Sequence, residues 1–196
     1  MMKSICVYCG SSSGVSPRYA EQARAMGAAL AGRGIALVYG GGKVGLMGAI
    51  ADEVLRCGGQ VTGVIPQALM DKEVGHQGLT QLHVVKNMHE RKAMMADLSD
   101  GFIAMPGGVG TLEELFEVFT WAQLRFHDKP IGILNTDGYY DALLGFVSHM
   151  VEQGFVRAEQ AKLLMSAPDP QALLARFDAF EVVPHDKFLN LVHSQA

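Results

Sequence analysis

Residues 102–121 read FIAMPGGVGTLEELFEVFTW, and the folding of this stretch decides how the rest of the chain is read. The apolar run over 102–105 has the length and composition of a buried strand. Pro106-Gly107-Gly108-Val109-Gly110-Thr111 breaks that pattern. From Leu112 onward, Leu112, Leu115, Phe116, Phe119 and Ala122 recur at helical spacing. The order is therefore strand, glycine-rich turn, helix. Glycines let a backbone bend sharply and approach a ligand closely. The turn enters a helix N-terminus, where unpaired N–H groups and the dipole attract an anion. Thr111 is placed to cap the helix or to donate to a phosphate oxygen. Glu113 and Glu114 put two carboxylates into the predicted first helical turn. Acidic residues are common there because they favour the positive end of the dipole, which is the ordinary reading of Glu113.

The same unit recurs on either side. Residues 4–9 read as a first strand, followed by Gly10-Ser11-Ser12-Ser13-Gly14 and a helix over 17–33 opened by Pro17. Residues 35–39 read as a second strand, followed by Gly40-Gly41-Gly42-Lys43-Val44-Gly45 and a helix over 46–56. Further strands are predicted over 60–65, 82–85, 130–134 and 163–166, with helices over 89–98, 139–153 and 170–177. This alternation predicts an α/β, Rossmann-like doubly wound fold, a mostly parallel sheet with helices on both faces, in a single domain over 1–196. Ligands of such sheets sit beyond the carboxyl ends of the strands, where the three glycine-rich loops converge.

The middle loop has to be separated from two better-known nucleotide motifs. Gly40-x-Gly42-x-x-Gly45 fits the dinucleotide spacing, but the following strand ends in Ile65-Pro66 and lacks the acid that holds ribose hydroxyls. A Walker loop would need Ser or Thr after Lys43, where Val44 stands. The loop is read as a close-approach surface for one nucleotide.

Composition narrows the partners. A net charge of −4 with scattered Lys and Arg argues against a nucleic-acid partner. Three cysteines suit a reducing compartment, and Cys6-x-x-Cys9 lies on a predicted strand, where same-face neighbours are two apart rather than three. No Cys or His grouping has zinc spacing, so neither metal nor cofactor is expected. No leader-like segment or run of ~20 apolar residues occurs, which predicts a cytoplasmic protein without a membrane partner.

PGGVGTLEE at Pro106 to Glu114 resembles the P-G-G-x-G-T-x-x-E motif of the LONELY GUY (LOG) phosphoribohydrolases, a family long mislabelled lysine decarboxylases. CGSSSG from Cys9, YGGGKVGLMG from Tyr39, MHERK from Met88 and TWAQL-x3-DKP from Thr120 extend the resemblance over nearly the whole chain. It implies hydrolysis of the N-glycosidic bond of AMP or an N6-modified, cytokinin-type AMP, with Arg91 and Glu114 as the catalytic pair. It also implies substrate contacts from Gly10, Ser11, Gly41, Gly42, Glu73, Lys92, Thr120 and the run Gly107, Gly108, Val109, Gly110, Thr111, Leu112 and Glu113. Two other readings are an AMP-sensing module that does not cleave, and the pyridoxal-phosphate decarboxylase of the old label. Met88, Met94 and Met95 are candidates for an apolar wall beside the base, though methionines there are ordinary core filler. Glu73 and His76 have solvated surface positions as their default. His89-Glu90-Arg91-Lys92 places two cations near a helix start, against the dipole, which calls for an anionic partner in Glu90 or in a substrate. Val118 and Trp121 fall off the apolar stripe on the side of Glu114, and an exposed Trp121 there predicts a covered surface, most simply a homodimer, as LOG-like enzymes are.

Overall fold

The strand β1 (Ser4–Tyr8) shows why the sheet has helices on both sides. Ile5, Val7 and Cys9 belong to one core cluster, whereas Cys6 and Tyr8 belong to the other. The period of two therefore feeds two cores, and a strand buried on both faces reads as a continuous apolar run. In the computed structural model, which describes residues 2–70 and 75–182, six more strands join it. They are β2 (Ala36–Tyr39), β3 (Val61–Pro66), β4 (Gln81–Val85), β5 (Phe102–Ala104), β6 (Ile131–Leu134) and β7 (Leu164–Ala167). All seven are parallel in the order β4-β3-β2-β1-β5-β6-β7. The order reverses between β1 and β5, so the crevice of this sheet opens where the loops after Tyr8 and Ala104 part.

On one face lie α1 (Pro17–Gly32), α2 (Gly45–Arg56) and α8 (Pro170–Asp178), which share a core with Ile5, Val7 and Leu37. On the other lie α4 (Met88–Asp97), α5 (Val109–Gln123) and α6 (Asp141–Glu152), packed with Cys6, Tyr8 and Phe102. Helix starts follow their caps. Ser16 accepts from Arg18 N ahead of Pro17, Asp169 accepts from Ala172 N ahead of Pro170, and Asn87 accepts from Glu90 N. Two one-turn helices, α3 (Gln67–Met70) and α7 (Ala158–Ala161), escape sequence reading because four residues are too few to show a period. α6 begins at Asp141 rather than at 139, because the Asn135 side chain binds Tyr140 N and Asp141 across a tight turn whose Asp137 has φ 50.

The opening stretch differs from its sequence reading in three ways. α5 starts at Val109, three residues early, with Gly108 as N-cap. Its first turn faces the crevice instead of the core, so it carries no apolar signal. Thr111 is consequently a buried third residue of the helix and not its cap, and Glu113 and Glu114 stand in the second turn. The packed face of the helix is Leu115, Val118, Phe119 and Ala122, with Leu112 and Phe116 only half-buried. Val118 thus faces the core, and Trp121 is half-buried against the same cluster rather than exposed. Truncating the fully buried Leu115 to Ala would cost roughly 2–5 kcal/mol.

Candidate active site

The crevice holds a cavity of about 330 Å3 whose wall includes Tyr8, Cys9, Gly10 and Ser11 at the end of β1. Gly40 after β2, Arg91 of α4, and Gly108 through Thr111 with Glu113 and Glu114 of α5 complete its polar side. A second cavity of about 310 Å3 adjoins it, shares Gly10, Ser11 and Gly108, and is lined further by Ser12, Ser13, Tyr19 and Tyr139.

The two loops at the switch point touch main chain to main chain. Gly10 N donates to Pro106 O at 3.0 Å, and Gly10 O accepts from Leu46 N at 3.0 Å. A Cβ on Gly107 would collide with Thr111 and lie 2.9 Å from Gly10 N, so the fold itself requires this glycine. Gly108 and Gly110 differ, because a Cβ at either would meet nothing among the described residues. Their bareness leaves room on the cavity side. Leu112 N donates to Gly108 O, and the N–H groups ahead of it carry the positive end of the helix.

Behind that helix start sits an ionic pair. Glu114 lies 3.7 Å from Arg91 Nη1, and the two side chains are only 12% and 11% exposed. Burial pushes the Glu114 carboxyl up to about 7, opposed by the Arg91 charge and reinforced by Glu113. Arg91 is held mainly by backbone: its Nε donates to Val64 O at 3.1 Å and its Nη2 to Gly40 O at 3.3 Å. A Cβ on Gly40 would occupy the place of the guanidinium and push it out of this position. A carboxyl poised near neutrality beside a fixed cation and a helix N-terminus can serve as base or charge stabiliser for an anionic ligand.

A family model described as "Possible lysine decarboxylase" matches residues 47–177. The cytokinin riboside 5′-monophosphate phosphoribohydrolase LOG5 of Arabidopsis thaliana is 49% identical over 92% of this chain and 79% of its own. LOG1 of the same plant is 48% identical over 94% of this chain and 86% of its own. The chain belongs to the LOG family. Two solved structures share its fold at 20% identity. They are the molybdenum cofactor carrier protein of Chlamydomonas reinhardtii, with TM-score 0.71 over 91% of this chain and 98% of that one, and the molybdenum cofactor binding protein of Rippkaea orientalis, with TM-score 0.69 over 91% and 97%.

The LOG motif residues divide into groups. Arg91, Glu114, Gly10, Ser11, Gly108, Val109, Gly110, Thr111 and Glu113 meet in the first cavity, and Gly107 lines the second. Gly41 and Gly42 lie one step back: Gly41 O accepts from His76 N and Gly42 bridges to Gly75, while Gly40 forms the wall. Leu112 turns to the core cluster. Thr120 donates to Phe116 O within α5, away from the cavity lining. Lys92 is also outside the lining, with its Nζ 2.5 Å from Glu113 and 2.9 Å from Glu117. The anionic partners of the two cations are thus acids of α5, and Glu90 instead accepts from Lys86 N at 2.9 Å. Among the described residues no lysine lines the cavity. Glu73 falls outside the described residues.

Met88 and Met95 line the cavity and Met94 does not. Sequence reasoning missed Val7, Tyr8, Met47 and Leu69 in the same wall. Val7 and Tyr8 carried a signal, since they end the strand at the switch point. Met47 carried none, because a helical apolar residue reads as core, and Leu69 stands in the one-turn α3, too short to show a period. His76 is 6% exposed and binds Asp52, so it is no surface residue.

Proposed function

We propose that this chain hydrolyses the N-glycosidic bond of a purine nucleoside 5′-monophosphate, AMP or an N6-modified AMP, to the free base and ribose 5-phosphate. The observation that carries the reading is the buried Glu114 carboxyl, raised to about 7, set behind an open helix N-terminus. The 5′-phosphate would lie on the N–H groups of Gly108, Val109, Gly110 and Thr111 and take up the helix dipole. Glu114 is four residues beyond Gly110, about 6 Å along the axis, which is within reach of the anomeric carbon of a ribose anchored there. Glycosidic cleavage passes through an oxocarbenium-like state, and an ionised Glu114 would stabilise that charge and accept a proton from the attacking water. Arg91 would act electrostatically, because a guanidinium does not release its proton near neutrality. Its charge favours the ionised form of Glu114. Leu69, Met88 and Met95 would give the base, or an apolar N6 substituent, its hydrophobic wall. The names of the LOG relatives support the same substrate class.

Release of adenine from AMP, adenosine and ATP at equal concentration tests this reading. AMP should exceed adenosine by about 10³ or more in kcat/KM, because two or three charge-assisted hydrogen bonds of roughly 1.5–3 kcal/mol each are lost without the phosphate. ATP should also be poor. The reason is charge rather than closure: the second cavity leaves space beside Gly108, but among the described residues no Lys or Arg lines it. Equal rates from adenosine and AMP would refute the phosphate anchor. We further propose that the enzyme works as a homodimer in the cytoplasm. Half-burial of Trp121 removes one reason for that, while the exposed Leu124, Phe126, Phe146 and Phe155 supply another. Light scattering should then give a species near twice the 21.1 kDa chain mass.

A further inference from the structure

We infer that His76 is a positioning residue for Arg91, acting through the Gly40–Gly42 loop. This rests on the reading of Arg91 and Glu114 as the catalytic pair. The guanidinium has two carbonyl anchors, Val64 O on β3 and Gly40 O on the loop. The first belongs to a sheet strand and the second is only as fixed as the loop that carries it. That loop leaves β2 through Gly41 at φ +76, a conformation without stiffness of its own.

Among the described residues three contacts pin it. Tyr39 Oη donates to Gly42 O at 3.1 Å, Gly42 forms an antiparallel bridge to Gly75, and His76 N donates to Gly41 O at 3.0 Å. Two of the three come from the segment Gly75–His76, so its own footing matters. His76 supplies that footing with both ring nitrogens. Nδ1 lies 3.1 Å from Gly78 N and accepts its hydrogen, which leaves the hydrogen of a neutral ring on Nε2. Nε2 lies 2.8 Å from Asp52 Oδ1 on α2. The 75–78 turn is thereby tied to the helix that begins where the glycine loop ends. The ring is 6% exposed and does not line the cavity, so it touches no substrate. Loss of this tie would free Gly40 O and let the guanidinium drift from Glu114.

The consequence is readable in the ionisation of Glu114. Among the described residues, Arg91 and Lys92 of α4, Cys6 and Tyr8 of β1, Cys9 just after it, and Glu113 and Glu117 of its own helix are the titratable and charged groups around that carboxyl. Among these, Arg91 is the largest influence favouring ionisation. A loosened Arg91 therefore moves the acid limb of kcat to higher pH, an effect that a general loss of stability does not produce.

The experiment compares wild type, His76→Ala, Asp52→Ala, Arg91→Ala and the His76→Ala/Arg91→Ala double variant. Two readouts are used: adenine release from AMP across pH 5–9, and hydrogen exchange of the Arg91 Nε–H by NMR. His76→Ala should lower kcat about tenfold with KM for AMP within about twofold, shift the acid limb upward, and speed Arg91 Nε–H exchange about tenfold or more. Asp52→Ala, which removes an exposed carboxylate, should move each quantity the same way by less. In the Arg91→Ala background the His76 change should cost nothing further in kcat. Unchanged Arg91 exchange in His76→Ala overturns the inference, as do losses that simply multiply in the double variant. If His76→Ala does not fold, unchanged exchange in Asp52→Ala overturns it. If wild type cleaves no nucleotide, the functional reading fails while the exchange comparison still decides the role of His76.

Discussion

Replacing Glu114 by Gln should make the protein more stable and far less active, with the gain in stability confined to one side of a pH window. An unfolded Glu ionises near 4.5, whereas in the folded chain burial holds the carboxyl at about 7. Below 4.5 both states are protonated and Gln is equivalent to Glu. Between 4.5 and 7 the unfolded state ionises first, so the native carboxyl becomes progressively unfavourable. Above 7 both are ionised and the penalty is complete. At 1.36 kcal/mol per unit, the difference amounts to about 3 kcal/mol at pH 8 and under about 1 kcal/mol at pH 5. Gln keeps the shape and the polar contact while removing the charge. With a slope of 1–3 kcal/mol per M urea, the unfolding midpoint should rise by on the order of 1 M at pH 8 and by much less at pH 5. Turnover of AMP should fall by about 10²–10³, the usual cost of losing one electrostatic group aimed at a developing charge. Urea titrations at the two pH values, beside adenine release, check both halves. Equal midpoint shifts at pH 5 and pH 8 would refute the burial argument, and wild-type turnover would refute the catalytic one.

Wild-type kcat should rise with pH through a limb near 7 as Glu114 ionises, and Arg91→Ala should move that limb upward as well as lowering turnover; pH–rate profiles measure both. Glu113→Gln should reduce kcat by less than about tenfold, because Glu113 is exposed and paired with Lys92 at the cavity rim. Gly110→Val should fold, since a Cβ there meets no atom of the described residues, yet lose AMP binding where the phosphate approaches; calorimetric titration with AMP alongside a melting curve separates the two.

Sequence alone carried the alternation of strands and helices, the three glycine loops, and the grouping of Arg91, Glu114 and the 107–111 run, because each leaves a local mark in period, breaker or motif. It also carried the exclusion of a dinucleotide site, through the missing acid after β3. Tertiary structure decided the rest. The start of α5 lay upstream of its apolar pattern because the first turn faces a ligand crevice, and a surface without core contacts leaves no hydrophobic period. Lys92 and Thr120 share the motif set, yet one is spent on Glu113 and Glu117 and the other on Phe116 O, outcomes set by which helix faces meet. His76, with no periodic or motif signal, became a buried tie to Asp52 through a contact 24 residues apart. The ionisation of Glu114 near neutrality belongs to structure most of all. It depends on water being excluded by β1, α4 and α5 together, and no single segment records that exclusion.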